Sequence, residues 1–150
     1  MIDQTENCIV DFTCSIDLSD INSRIFHAAR MRVIDSIGVA IAACDAPTIS
    51  ALINIPFSSG GNTGARIWKT GVFTSLSHAA LINGTMVRYL DMSDAYTQIS
   101  TAHPSDNIAA LVALAEANGN SFGDLVLAII ISYEIQCRFC DVVPFHQNGW

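Results

Sequence analysis

In four long stretches of this chain the apolar residues fall three or four positions apart, a spacing that commits most of the sequence to amphipathic helices. From Ser19 to Cys44, Ile21, Ile25, Ala28, Ala29, Val33, Ile37, Ala40 and Ile41 keep the period, while Arg24, Arg30 and Arg32 fall on other faces. The spacing predicts one long helix, increasingly buried towards its C-terminal end. A second is predicted over Val72 to Leu90, where alanine, leucine and methionine favour helix and Gly84 suggests close approach by a neighbour. Ile108, Leu111, Val112, Leu114 and Ala115 carry a third to Asn118, and Gly119 ends it. Pro104 suits that helix's first position, because its missing N–H would be unpaired there anyway. The fourth, Leu125 to Val142, is apolar nearly all round and expects neighbours on several sides. Ser121 caps it, with the Asp124 carboxylate near its N-terminus.

Between these stretches the signals are shorter. Cys8, Ile9, Phe12 and Cys14 give a short helix over about Thr5 to Ser15. Pro47 bounds the first long helix, Thr48 or Ser50 can cap a brief one through Ile55, and Pro56 closes it. The run from Ser58 to Gly64 reads as a flexible turn or loop, and Ala65 to Trp68 as a short extended piece. No fixed-period repeat or composition shift divides the chain, so the expectation is all-α: one multi-helix array over residues 1–150.

Composition narrows the function classes. The chain is 51% hydrophobic and only 14% charged, against about 25% charged in an ordinary soluble domain. Much apolar surface therefore needs cover from a partner or from further chain. Net charge is −7 and no basic cluster occurs, which argues against nucleic-acid binding. The longest strongly apolar run, Leu125 to Ile131, falls far short of the roughly 18 residues that span a bilayer. The N-terminus lacks a basic start followed by an apolar stretch, so a soluble protein without a secretory signal is expected. Five cysteines cannot all pair within one chain, which suits a reducing compartment. The expected location is the cytoplasm, with the mitochondrial matrix open for a eukaryotic source.

Chemistry, if present, belongs to Asp91 to His103, a polar segment with two carboxylates and a histidine between two helical runs. Asp91 and Asp94 are three apart, so a residual helical turn would put them on one side, where repulsion leaves an acid beside a base. That arrangement suits proton transfer. His103, at the N-cap before Pro104, is kept neutral by the helix dipole and can serve as a base. The N–H groups of Ser105, Asp106 and Asn107 would suit a substrate carboxylate, although the Asp106 charge works against that. A plain reading competes: Asp91 and Asp94 as turn residues and His103 as a cap, and residue physics alone favours it.

Other motifs carry less. Cys137-Arg138-Phe139-Cys140, with His146 six residues later, lacks a fourth ligand at zinc spacing and falls late in a helix, so reduced structural cysteines are expected. His27 and His78 have no acidic or cysteine partner at ligand spacing. Asn83-Gly84-Thr85 has the form of a glycosylation acceptor but lies inside a helix. The glycines at 60, 61 and 64 lack the Lys-Ser or Lys-Thr pair of a phosphate loop.

The stretch Ala79-Ala80-Leu81-Ile82-Asn83-Gly84-Thr85-Met86-Val87-Arg88-Tyr89-Leu90-Asp91-Met92-Ser93-Asp94, followed by His103-Pro104-Ser105-Asp106-Asn107, resembles the signature region of the MmgE/PrpD family. Ile34 to Ala40 resembles that family's first long helix, Tyr133-Glu134-Ile135 a later one, and Gly149-Trp150 the start of its next motif. The resemblance runs in order over nearly the whole chain. It implies a helical domain, here in its N-terminal and incomplete portion. Its wording is most similar to 2-methylcitrate dehydratases, hydro-lyases that take water from a tricarboxylate without an iron–sulfur cluster; relatives decarboxylate cis-aconitate or epimerise related acids.

Carried over by residue, the resemblance implies catalytic roles for His103, Asp91 and Asp94, with His103 an acid/base group. Ser105 is the expected substrate-binding residue. No metal or other cofactor is implied, and the partners implied are a tri- or dicarboxylate substrate and either a second copy, as a homodimer, or the missing C-terminal portion. Two departures stand out. Ala95 lies where the family usually has threonine, and a further histidine and later lysine and tyrosine residues are absent, so the chain alone is expected to be inactive. A tricarboxylate also needs cations, whereas Asp91, Asp94 and Asp106 crowd the site, so the cationic wall is expected from elsewhere. The alternative, from another class, is a non-catalytic helical domain that docks a partner or dimerises through uncovered apolar surface.

Overall fold

The computed structural model describes residues 3–56 and 64–149, and among them the protein is built from six α-helices and two very short antiparallel hairpins. The helices are α1 (Gln4–Ser15), α2 (Ser23–Ala43), α3 (Pro47–Ile53), α4 (Leu76–Tyr89), α5 (Ile108–Asn118) and α6 (Phe122–Val142). One hairpin pairs β1 (Ala65–Arg66) with β2 (Phe73–Thr74); the other pairs β3 (Tyr96–Thr97) with β4 (Thr101–Ala102). The fold is all-α in class, as the periodicity predicts. The run 58–63 of the expected loop and Trp150 lie outside the described residues.

Helix ends follow the capping chemistry and correct the sequence boundaries. α2 starts at Ser23, four residues later than expected, because the Asn22 side-chain Oδ1 accepts from both Arg24 N and Ile25 N. Leu18–Asp20 before it forms a separate 3-10 turn closed by an Asp17/Asp20 capping box. α4 starts at Leu76, with Ser75 as cap, because Phe73 and Thr74 pair as strand instead. α3 is capped by neither Thr48 nor Ser50: Pro47 takes its first turn after Ala46, and it ends at Ile53. Pro104–Asn107 is a 3-10 turn leading into α5, and Gly119 at φ 67 ends α5 in the left-handed conformation. The capping box at Ser121 and Asp124 forms as expected.

The core lies where α2, α4, α5 and α6 meet. Ala40, Ile49, Ile67, Ile82, Met86, Val87 and Ala109 form one buried cluster, and Ala29, Val33, Ile108, Val126 and Ile129 a second. α4 packs against α5 at Gly84, where an added Cβ would sit 3.9 Å from the Ala109 Cβ. On α2 the buried face is Ala29, Val33, Ser36, Ala40 and Ala43, whereas Ile34, Ile37 and Ile41 are exposed. Burial therefore follows one face of α2 rather than rising steadily along it. α6 buries only Val126, Ile129 and Cys140 fully, and α1 buries no residue. Among the described residues no single helix is long and apolar enough to cross a membrane.

Two side chains tie the first hairpin to α4. Asn83, fully buried, accepts from Trp68 N at 3.0 Å and donates to Arg66 O at 2.9 Å. His78, also buried, reaches Thr74 Oγ1 at 3.0 Å and Leu52 O at 3.3 Å, so it joins α4 to β2 and α3. Gly64, the last residue of the expected flexible run, is buried beside β2: a Cβ there would come within 2.1 Å of Thr74 O. His27 is exposed on α2.

Candidate active site

The segment between α4 and α5 is shaped by the second hairpin. Its register, Tyr96 opposite Ala102 and Thr97 opposite Thr101, turns the chain back so that Asp94 and His103 meet at the hairpin's open end. The hairpin is pinned to the end of α6. Ser100, buried, donates through N to Cys140 O at 3.0 Å and through Oγ to Val143 O at 2.6 Å, and accepts from Phe145 N. Cys140 O belongs to the last turn of α6, where helix carbonyls lack internal partners. Tyr96 Oη adds a donation to Asp141 Oδ1 at 2.9 Å.

At that open end His103 Nδ1 lies 2.6 Å from the Asp94 backbone carbonyl. A carbonyl only accepts, so Nδ1 carries the proton, and in the neutral ring the Nε2 lone pair is left for chemistry. The Asp94 carboxylate accepts from Ser105 N at 3.1 Å and from Tyr133 Oη at 2.8 Å. Burial, and then the bond to Asp94, pushes the Tyr133 phenol above its ordinary range, so it stays a donor.

Arg88, in the last turn of α4, donates through Nη1 to Asp91 Oδ1 at 2.7 Å, and its Nε lies 3.6 Å from Asp106 Oδ1. Burial raises the Asp106 carboxyl above the usual range, and Arg88 and His103 pull it back down.

The candidate residues thus divide. Asp94, His103 and Ser105 come together with Tyr133, while Asp91, at φ 52 and exposed, stands with Arg88 and Asp106. No helical turn joins Asp91 to Asp94, since the chain leaves the helix at Leu90, so the expected one-sided pair of carboxylates does not form. The helix-start amides are not open to a substrate carboxylate either. Asp94 fills the Ser105 N–H, and Asp106 N bonds to His103 O at 3.0 Å. The Ser105 hydroxyl is buried without a hydrogen-bond partner, so it is not exposed to a substrate.

Two residues of this cluster, Arg88 and Tyr133, escaped the sequence reading. Arg88 puts a cation among the carboxylates, and its spacing of three from Asp91 on a helix end is a signal that local reasoning could have used. Tyr133 reaches Asp94 across 39 positions, which no local spacing reveals. Asp106 was read as a hindrance, yet it is the carboxyl here that burial raises. Elsewhere, Cys137 and Cys140 lie within α6 with thiols raised by burial, and all five cysteines are free. Among the described residues no three His, Cys, Asp or Glu side chains converge in a manner that could hold a metal ion. The groove between α1 and α6, lined by Cys8, Ile9, Phe12, Ile135, Phe139 and Val142, is apolar and includes none of His103, Asp91 or Asp94 in its lining.

These features define a helical domain that presents an imidazole, carboxylates and an arginine at the hairpin joining two of its core helices. The MmgE/PrpD N-terminal domain matches residues 7–150, and the chain belongs to the MmgE/PrpD family. It is 28% identical to the 2-methylcitrate dehydratase-like protein oryR of Aspergillus oryzae over 98% of this chain and 32% of that protein. Identity to the 2-methylcitrate dehydratase of Cupriavidus necator is 29%, with the same coverage of both chains. The 2-methylcitrate dehydratase of Escherichia coli K12 is 27% identical over 85% of this chain and 28% of its own. The chain spans about a third of the length of the curated relatives it matches.

Proposed function

We propose that this chain is the N-terminal portion of a hydro-lyase of the 2-methylcitrate dehydratase type acting on a tricarboxylic acid, with His103, Asp91 and Asp94 at its active site. The observation that carries the reading is His103 Nδ1 bound to Asp94 O, which leaves Nε2 as a proton-transfer atom. In the reaction Nε2 takes a proton from carbon beside a substrate carboxylate, the electron pair forms the carbon–carbon double bond, and the C–O bond breaks. The departing hydroxide receives a proton from an acid, so one water is lost. In this reading an aspartate beside His103 supplies that acid, and Arg88 faces a substrate carboxylate.

The cations a tricarboxylate needs beyond Arg88 come, in this reading, from sequence that the relatives carry outside the matched third or from a second copy. The five free cysteines fit a cytoplasmic location. A second reading, a non-catalytic docking domain, is favoured by the exposed row Ile34, Ile37 and Ile41 on α2.

The test follows the absorbance of the unsaturated product from 2-methylcitrate, using this chain alone and a version extended through the downstream reading frame. Turnover in the extended version alone supports the reading. A folded extended protein that leaves 2-methylcitrate untouched refutes it, and stable self-association without ligand binding then supports the docking domain.

A further inference from the structure

Asp94 is gripped by two donors from different parts of the fold. Tyr133 Oη, from the middle of α6, holds Oδ2 at 2.8 Å, and Ser105 N, at the start of the turn into α5, holds Oδ1 at 3.1 Å. With both carboxylate oxygens fixed, the adjoining peptide is fixed as well, and its carbonyl receives His103 Nδ1 at 2.6 Å. Ser93, one residue earlier, is tied through Oγ to Val87 O at 2.9 Å, so the backbone on that side is anchored to α4.

We infer that Tyr133 is a positioning residue for His103: its hydrogen bond to the Asp94 carboxylate holds the Asp94 carbonyl where it selects the Nδ1–H tautomer and leaves Nε2 as the reacting nitrogen. The geometry is indirect, since the phenol bonds the carboxylate and not the imidazole. Burial of Tyr133 favours the device, because a half-buried phenol in the groove between α2 and α6 stays protonated and so remains a donor to Asp94. The inference deepens the hydro-lyase reading and rests on it for the catalytic consequence, but the tautomer is a property of this chain whatever its substrate.

The experiment is therefore made first on the imidazole. In protein labelled with 15N at histidine, long-range proton–nitrogen correlations distinguish the tautomers, and His103 is assigned by the signals lost in His103→Gln. His78, buried against Thr74 and Leu52, serves as the internal check that the core is intact. In wild type the neutral His103 ring is expected to be shifted towards Nδ1–H, relative to free histidine, by about fivefold for one net hydrogen bond. Tyr133→Phe should reduce that shift, back towards the Nε2–H form that free histidine favours, with the His78 signals unmoved.

Asp94→Ala gives a second, independent variant. A methyl group offers no acceptor to Tyr133 Oη or Ser105 N while the residue 94 carbonyl remains, so the same loss is expected. A wild-type His103 with the tautomer ratio of free histidine overturns the inference, as does an unchanged tautomer ratio in either folded variant. In the extended protein, Tyr133→Phe should lower kcat with little change in KM. A tautomer shift in a protein that shows no dehydration leaves the positioning role standing and removes the hydro-lyase reading alone.

Discussion

Replacing Asn83 by alanine tests how the signature stretch builds the fold that carries the site. The Asn83 amide is fully buried and satisfies two main-chain groups of the first hairpin, Trp68 N–H at 3.0 Å and Arg66 C=O at 2.9 Å. Asn83→Ala strands both. Each stranded group costs about 1–3 kcal/mol, so a loss of about 4 kcal/mol is the central expectation for the two before any packing defect. For a chain of this size that corresponds to a fall in Tm of about 8–16 °C. Urea unfolding followed by Trp68 fluorescence and far-UV circular dichroism measures it, the tryptophan reporting next to the lost bond. Asn118→Ala is the control: Asn118 is exposed and its side chain only caps Leu114 O at 3.0 Å, so its cost should stay within about 0.5 kcal/mol. A stability loss in Asn83→Ala no larger than in the control would refute the reasoning, because the hairpin would then find its partners without the amide.

Three further outcomes follow from the same structure. Gly64→Ala should lower the urea midpoint markedly, since the new Cβ would meet Thr74 O at 2.1 Å; an unchanged midpoint would mean the strand edge yields without cost. Burial raises the Asp106 carboxyl, so the folded state binds that proton more tightly than the unfolded chain; the stability involved is present below the unfolded pKa and lost as pH rises through the folded value. Asp106→Asn should accordingly gain on wild type as pH rises from about 4 to about 7, and a difference independent of pH contradicts the burial argument. Alkylation by iodoacetamide, read by mass spectrometry in native protein, should label exposed Cys8 and Cys14 well before Cys137 and Cys140, whose thiols burial raises; equal labelling speaks against that placement in α6.

The helices were legible because burial needs a periodic face, and the period survives in the sequence wherever a face is covered. Their ends were less so. Val72 to Thr74 fits the helical pattern of α4 in composition, yet Phe73 and Thr74 pair with Ala65 and Arg66, a contact set by residues several positions upstream. Ile34, Ile37 and Ile41 continue the apolar period of α2 but stay exposed, because the neighbours in this chain cover the face carrying Val33, Ser36 and Ala40 instead. At the site, the segment and its residues could be read: Asp94 and His103 meet through the hairpin between them. The pairing within it could not. Whether Asp94 turns to Asp91 or to Ser105 and Tyr133 depends on where α6 passes, and Tyr133 lies 39 positions away. The helix-start amides also misled, since a free N–H in sequence terms is one whose partner has yet to be found, and here Asp94 is that partner.

The most direct test of the proposed chemistry is the turnover of 2-methylcitrate by the extended protein and by its His103→Gln variant, each shown to be folded. Loss of a general acid/base group should cut kcat by about 10²–10⁴-fold while the fold is unchanged. Turnover in His103→Gln within a few-fold of wild type would contradict the assignment of the proton transfer to Nε2.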